Sequence, residues 1–216
     1  KKDGLKDHLN KINYQESPST YINSLYGKTI YVLSIDKTKK EFIEMKIAVF
    51  LSRFPYPLIK GDKLRAYNQI VQLAKRHEVY LFCLSDERIE NDWIEQLRPF
   101  CKEIEIGKLN KFSSLLNVSL AFFSQLPLQT AFYKSNKIKQ QYNAFLQKVK
   151  PDVCYYQFVR TMPYAEGVAL PQVLDFQDTL SANMERRAGK SNAFLKPFFL
   201  MEAKRLRRYE LKAMNL

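Results

Sequence analysis

The stretch from Met45 to Arg76, MKIAVFLSRFPYPLIKGDKLRAYNQIVQLAKR, determines how this chain folds. It begins with an apolar run, Ile47 to Leu51, passes through a proline-containing loop over 52–60 and reaches Gly61 at the start of an amphipathic segment. This order predicts a buried strand, a loop and a helix, with Asp62 as the N-cap of the helix. The predicted helix buries one face, which consists of Leu64, Tyr67, Ile70, Val71 and Ala74.

The start of this helix is a candidate site for an anionic group. The first turn of a helix presents backbone N–H groups without partners and a partial positive charge. Gly61 has no side chain to keep a ligand away from the backbone, and Lys63 and Arg65 add positive charge. We therefore expect the chemistry of the protein to lie near Gly61.

The alternation of strand and helix continues along the chain. Strands are predicted at 79–84, 103–106, 153–158 and 172–176, and helices at 90–100, at 135–149 and from Asn192 onward. Consecutive strands joined through helices form a parallel sheet with right-handed crossovers. The predicted fold class is therefore α/β, with a Rossmann-like parallel sheet flanked by helices.

The composition changes near Met45, which indicates a domain boundary. Residues 1–44 are rich in Lys, Asn, Asp and Ser and predict a poorly structured N-terminal extension, so that the domain proper begins at Met45 and covers 45–190. Residues 191–216 predict an amphipathic helix that leads toward a further domain, which we expect to be missing from this chain.

The overall composition limits the class of protein. A chain of 216 residues with 46% hydrophobic residues can bury a core, and a net charge of +13 favours an acidic partner such as nucleic acid, an anionic membrane surface or a phosphorylated substrate. Cys83, Cys101 and Cys154 are widely spaced, which predicts reduced core cysteines and, with two isolated histidines, no metal site. Neither a signal peptide nor an apolar run of about 18 residues is present, so a cytoplasmic protein is expected.

The segment from Phe112 to Leu126 carries no charge and is apolar on nearly all sides of a predicted helix. Two interpretations remain open. The segment is either buried beneath a neighbouring domain, or it makes shallow contact with a membrane. Four lysines would aid such contact: Lys108, Lys111, Lys134 and Lys137.

Three separated blocks of sequence, within residues 45–214, resemble a known enzyme family. They are Phe54-Pro55-Tyr56-Pro57 with the following Lys60-Gly61-Asp62-Lys63-Leu64-Arg65, then Leu174-Asp175-Phe176-Gln177-Asp178, and finally Arg205-Leu206-Arg207-Arg208-Tyr209-Glu210. Together they resemble the N-terminal half of bacterial family 4 glycosyltransferases. The pattern is most similar to the sugar transferases of exopolysaccharide export systems.

The resemblance implies one half of a GT-B fold, in which two Rossmann-like domains face each other across a cleft. The N-terminal half binds the acceptor, a glycan or a lipid-linked sugar, and the C-terminal half binds a nucleotide sugar. Transfer in this family retains anomeric configuration and needs neither a metal nor another cofactor. The acceptor half is therefore expected to be inactive without its donor domain.

The resemblance also implies a set of substrate-binding residues on the rim of the cleft: Gly61, Asp62, Lys63, Arg65, Arg160 and Asp178. Many relatives carry a histidine after the mid-domain strand, where this chain has Arg160, and no catalytic residue can be assigned. Arg65 either contacts substrate or pairs with Asp175 or Asp178. Asp178 either orients an acceptor hydroxyl or caps the following helix, and capping is the favoured interpretation.

Other functions remain open. A nucleic-acid or anionic-surface binding module would account for the charge, but the basic residues are spread over several elements and no nucleic-acid-binding motif is present, so no nucleic acid partner is expected. A dinucleotide-dependent oxidoreductase is disfavoured because the first loop offers Gly61 alone rather than three spaced glycines. A non-catalytic protein that acts only through contacts is the third alternative.

Overall fold

A five-stranded parallel sheet forms the centre of the computed structural model, which describes residues 44–214. Its strands are β1 (Lys46–Leu51), β2 (Glu78–Ser85), β3 (Glu103–Lys108), β4 (Val153–Gln157) and β5 (Gln172–Asp175). Their order across the sheet is β3-β2-β1-β4-β5, and every neighbouring pair is parallel. The predicted α/β fold class is confirmed.

Helices cover both faces of the sheet. They are α1 (Gly61–Leu73), α2 (Asn91–Glu95), α3 (Lys111–Ala121), α4 (Leu128–Tyr133), α5 (Asn136–Val149), α6 (Met162–Ala165), α7 (Leu180–Lys190) and α8 (Lys196–Ala213). A 3-10 turn, Val159–Thr161, joins β4 to α6. No helix in the part of the chain that the structure describes is long and apolar enough to cross a membrane.

The two faces of the sheet form separate hydrophobic cores, because successive strand residues point to opposite sides. On one face, Val49 packs with α1 and with Leu97. On the other, Phe50 packs with α5, α7 and α8. A strand buried on both faces is apolar throughout, which explains the unbroken run in β1.

Only part of the predicted inner face of helix α1 is confirmed, since Ile70 is buried. Leu64, expected on the inner face, is 43% exposed, whereas Lys63 and Ala66 are buried. The ammonium group of Lys63 reaches the carbonyl oxygen of Tyr56 at 3.1 Å, so the long aliphatic part of this side chain lies inside the structure. The prediction of Asp62 as the N-cap is also wrong, since the helix begins at Gly61 and Asp62 lies in its first turn.

Other local predictions are confirmed. The hydroxyl of Ser135 caps α5 by accepting a hydrogen bond from the N–H of Ile138 at 3.4 Å. The whole predicted inner stripe of this helix is buried: Ile138, Tyr142, Phe145, Leu146 and Val149. The three cysteines are free and buried, and burial raises the pKa of the Cys101 thiol to about 12.

Two of the predicted segments, 191–216 and 112–126, differ in burial. Helix α8 packs into the same core as α5 through Ala203 and Leu206, which are almost fully buried. The predicted apolar segment at 112–126 is not buried among the residues described here, and Phe123 is 94% exposed. The prediction of a poorly structured extension concerns residues 1–44, of which 1–43 lie outside the described residues.

Candidate functional site

The carboxyl ends of β1 and β4 form the centre of the candidate site. These strands are neighbours, and the strand order reverses between them. The connection after β1 leads to α1 on one face of the sheet, whereas the 3-10 turn after β4 leads to elements packed on the opposite face. Diverging connections leave a crevice, and ligands of parallel α/β sheets bind at such a point.

Arg160 lies in the 3-10 turn and reaches across to the end of β1. Its Nε donates a hydrogen bond to the hydroxyl of Ser52 at 2.9 Å. The central carbon of its guanidinium group lies 4.4 Å from the ring centroid of Phe158 and 5.0 Å from that of Tyr133. The side chain is thus fixed by one hydrogen bond and two aromatic rings, and the residue is only 7% exposed.

A second arginine lies beside it. The Nε of Arg53 donates a hydrogen bond to the hydroxyl of Tyr133 at 3.1 Å, and its Nη1 lies 3.6 Å from a carboxylate oxygen of Asp62. Burial lowers the pKa of Arg160, and the charge of Arg53 lowers it further, while Tyr133 and Asp62 act in the opposite direction. We define these four residues, Arg53, Asp62, Tyr133 and Arg160, as the cationic cluster. They come from the loop after β1, from α1, from α4 and from the 3-10 turn, respectively.

The first turn of α1 is accessible from the same edge. Lys60 precedes the helix and makes no side-chain capping hydrogen bond. A Cβ atom at Gly61 would meet nothing within 4 Å among the described residues. The side-chain position at the first residue of α1 thus faces open space, next to a turn whose N–H groups have no side-chain cap. A groove of about 640 Å³ beginning at Gly61 runs along α1 toward Tyr155, and it does not include Arg160.

Two of the predicted site residues make internal contacts. The ammonium group of Lys63 contacts the carbonyl of Tyr56 and, at 3.5 Å, the carboxylate of Glu87, so it points into the loop after β1. Arg65 binds both carboxylate oxygens of Asp175, at 2.9 and 3.2 Å. The pairing of Arg65 with Asp175 is confirmed, while a role of either cation in substrate binding stays a prediction.

Asp175 is the centre of a hydrogen-bond network at the end of β5. Its carboxylate accepts hydrogen bonds from Gln69 at 3.0 Å, from the hydroxyl of Tyr155 at 2.7 Å and from the N–H of Gln177 at 2.9 Å. Burial alone would raise the pKa of Asp175, but these hydrogen bonds and the charge of Arg65 outweigh burial and lower it. This carboxylate is therefore held ionised and acts as a fixed link between α1, β4 and β5.

Asp178 is exposed at the exit of β5, and the interpretation that it caps the next helix is wrong. Thr179 occupies the N-cap position of α7 and makes no side-chain capping hydrogen bond. The cap comes instead from α8, where Glu210 accepts hydrogen bonds from the N–H and the hydroxyl of Ser181 at 3.1 and 2.6 Å. A buried carboxylate from a distant helix has replaced the local cap, so the other interpretation of Asp178, contact with an acceptor, stays a prediction.

The structure thus places Asp62 and Arg160 in the cationic cluster, and it places Gly61 and Arg65 on the groove along α1. The ammonium group of Lys63 is directed into internal contacts. Sequence reasoning missed Ser52, Arg53 and Tyr133, which complete the surroundings of Arg160. Arg53 had a signal, since it is a charged residue directly after a buried strand, at the edge where ligands bind. Tyr133 had none.

Comparison with protein-family models gives no match, and comparison with curated proteins gives none of significant similarity. Residues 44–214 contain no group of three or more His, Cys, Asp or Glu side chains that could hold a metal ion. The arrangement offers positive charge and hydrogen-bond donors at one edge of a sheet, which suits binding of an anionic or polyhydroxylated ligand.

Proposed function

We propose that this chain is the acceptor-binding half of a retaining, nucleotide-sugar-dependent glycosyltransferase for cell-surface or exopolysaccharide synthesis. One observation carries the proposal: the cationic cluster and the open first turn of α1 lie at the edge of the sheet where the strand order reverses. In a GT-B enzyme this edge faces the donor domain across the cleft. The nucleotide sugar would approach from that domain, and the acceptor, a glycan or lipid-linked sugar, would bind to this one.

The geometry suits the task. Gly61 leaves space at the start of α1, which lets an oxygen-rich ligand approach the backbone N–H groups of the first turn. Arg160 is held in one orientation by aromatic rings, so it binds a ligand with little loss of side-chain freedom. These donors hold and orient a ligand. The nucleotide sugar would bind to the donor half of the enzyme, so we expect the acceptor half alone to bind acceptor without turnover.

The proposal is tested by screening the purified chain on a glycan array and measuring the affinity of the best ligand by calorimetry. Replacing Gly61 with tryptophan is expected to weaken binding by about tenfold or more, because the indole fills the space before the first turn of α1. Gly189→Trp is the matched control. Gly189 also has nothing within 4 Å of a Cβ atom, but it lies in α7, away from this edge.

Three results would contradict the proposal. Unchanged glycan affinity in Gly61→Trp would exclude the edge of the sheet as the binding site. Binding of single-stranded oligonucleotides in place of glycans, with steep weakening as salt rises, would favour the alternative of a nucleic-acid module. An array on which no glycan binds would remove the acceptor assignment.

We also propose an anionic membrane surface as a partner, on a separate observation. An apolar patch, exposed in the part of the chain described, spans α3, the turn after it and the start of α8. Its members are Phe112, Leu115, Leu116, Leu120, Phe122, Phe123, Phe194, Leu195 and Phe198. Phe122 and Phe198 join its two parts, with ring centroids 6.2 Å apart. Contiguous apolar surface of this kind marks a site of contact with a membrane or another protein.

The charge around the patch favours a membrane. Residues 107–151 contain seven lysines and no Asp or Glu, and the four lysines predicted to aid membrane contact are all exposed. Lysines beside exposed aromatic and aliphatic side chains are typical of surfaces that lie in the headgroup region of anionic bilayers. A cytoplasmic protein that uses a lipid-linked acceptor would be held near that acceptor by such contact.

Replacing both Phe112 and Phe123 with serine is expected to weaken vesicle binding by about 2 kcal/mol, because two apolar side chains leave the lipid. The measurement is flotation with vesicles of phosphatidylcholine containing one-third phosphatidylglycerol. Leu64→Ser, on the exposed side of α1, is the control and should bind as the parent does. Equal binding of the double variant would exclude this patch, and equal binding to pure phosphatidylcholine would exclude the role of lipid charge.

A further inference from the structure

The buried guanidinium group of Arg160 has more hydrogen-bonding capacity than its surroundings use. Its Nε donates to Ser52, but within residues 44–214 neither Nη1 nor Nη2 donates a hydrogen bond. A guanidinium group carries five N–H donors and cannot lose its charge. Burying such a group is costly unless its donors find partners. Four donors of a residue that is only 7% exposed thus remain available.

The charge of Arg160 also lacks an ion-pair partner among the described residues. The nearest carboxylate in the cluster, that of Asp62, forms its ion pair with Arg53 at 3.6 Å. The more distant charge of Asp86 also acts on Arg53. The cationic cluster therefore has an unpaired positive charge at its most buried point, where opposite charge interacts most strongly.

The aromatic rings determine which part of Arg160 is free. Phe158 and Tyr133 lie within about 5 Å of the guanidinium centre, at 4.4 and 5.0 Å, and Ser52 occupies Nε. What remains is the pair of terminal NH₂ groups. A planar fork of this kind matches two oxygen atoms of a carboxylate or phosphate, and it matches isolated sugar hydroxyls less well.

A second donor without a partner lies at the same edge. The side-chain Nε2 of Gln157, the last residue of β4, is buried and has no hydrogen-bond partner among the described residues, and Gln157 is only 3% exposed. Buried polar groups in folded proteins are nearly always paired, so the Gln157 amide, three residues before Arg160, is a donor that a ligand at this edge could use. Gln157 ends β4 and Arg160 lies in the 3-10 turn that follows, at the point where the strand order reverses.

We infer that Arg160 and Gln157 form a subsite for an anionic group, a carboxylate or phosphate, on the ligand of this domain. The inference deepens the proposed function by naming the substrate class: the acceptor is an acidic sugar or a sugar joined to phosphate. The anion compensates the buried charge through two parallel hydrogen bonds from the guanidinium group, and the Gln157 amide donates a third. Anion binding itself does not require that the acceptor assignment be correct.

The test is calorimetric titration of the full chain at constant ionic strength with glucuronate, inorganic phosphate and glucose. Glucuronate and phosphate are expected to bind at least tenfold more tightly than glucose. Arg160→Gln should abolish this preference, and Arg160→Lys, which keeps the charge but loses the fork, should retain only part of it. Arg98→Gln is the control, because Arg98 is an exposed cation that pairs with Glu95. Equal affinity for glucose and the two anions, or an unchanged preference in Arg160→Gln, would overturn the inference.

A second variant guards against misfolding, and two further outcomes separate the anion subsite from the proposed function. If Arg160→Gln does not fold, Gln157→Leu replaces it in the test. Leucine is similar in size to glutamine but has no amide, so this variant should fold and should bind glucuronate severalfold more weakly. No weakening in that variant would also overturn the inference. Anions that bind through Arg160 to a chain that binds no glycan would leave the subsite in place and remove the acceptor assignment. Neutral glycans whose binding requires Gly61 but not Arg160 would support the acceptor assignment and overturn the anion subsite.

Discussion

Replacing Phe50 with alanine is expected to lower the free energy of unfolding by about 4 kcal/mol, the range found for large aromatic residues in closed cores. Phe50 lies in the central strand β1 and is fully buried. Its ring centroid lies 4.7 Å from those of Tyr142 and Tyr164 and 5.3 Å from that of Phe82. These rings come from a neighbouring strand and from two helices, so they cannot collapse together into the space that the substitution leaves. The measurement is urea unfolding followed by circular dichroism.

Phe123→Ala is the matched control, because the same atoms are removed from a side chain that is 94% exposed. Its stability should change by about 0.5 kcal/mol or less. A similar loss in both variants would contradict the assignment of Phe50 to the core. A small loss in both would mean that the aromatic cluster repacks around the missing ring. The burial of β1 on both faces would then contribute less to the free energy of unfolding than we expect.

The fold could be predicted because its central strand β1 is apolar on both faces. The run Ile47 to Leu51 has no polar interruption, and such a run is typical of a strand inside a parallel sheet. The orientation of α1 was harder to predict, because apolar residues occur on two of its sides. Leu64 suited the inner face by pattern, but packing buries Lys63 and Ala66 instead. The sequence could not show that a lysine would have its ammonium group satisfied by a loop carbonyl.

The edge that holds the site could be predicted, but its chemistry could not. Gly61 and Arg160 follow strands whose carboxyl ends meet, which is a rule of parallel sheets. The contacts of Arg160 depend on long-range packing, since its partner Ser52 is 108 positions away in the chain. Tyr133 comes from a short helix, α4, that packs against α3 and the 3-10 turn after β4. The unpaired donors of Arg160 and Gln157 appear only once their neighbours are known.

The block from Arg205 to Glu210 shows how a motif that carries a family resemblance can serve structure. Arg205 donates hydrogen bonds at 2.9 Å to the carbonyl oxygens of Ala121 and Phe122, where α3 ends. Glu210 caps the start of α7. Both side chains satisfy the unpaired backbone groups of other helices, a positive side chain at a C-terminus and a negative one at an N-terminus. This part of the resemblance is accounted for by folding and supplies no group to the candidate site.

Replacing Glu210 with alanine is accordingly expected to destabilise the protein by about 3 kcal/mol. The change leaves the N–H and hydroxyl of Ser181 without their acceptor in a buried position, and it removes a negative charge from the N-terminus of α7. Glu210→Gln keeps one acceptor oxygen for the N–H of Ser181, and its NH₂ group can donate to the Ser181 hydroxyl, which reverses the second hydrogen bond. This variant should lose only about 1 kcal/mol, because both hydrogen bonds remain but neither is charge-assisted. Urea unfolding of the three proteins gives both values.

Glu185→Ala is the control for this experiment, since Glu185 is an exposed residue within α7 and the same atoms are removed. Its stability should stay within about 0.5 kcal/mol of the parent. Equal losses in Glu210→Ala and Glu185→Ala would contradict the cap. If Glu210→Ala instead has the free energy of unfolding of the parent but does not bind glycan, the carboxylate acts on the ligand site. Because Glu210 contacts Ser181 and lies on a helix packed against the face of the sheet opposite α1, we expect the loss of stability.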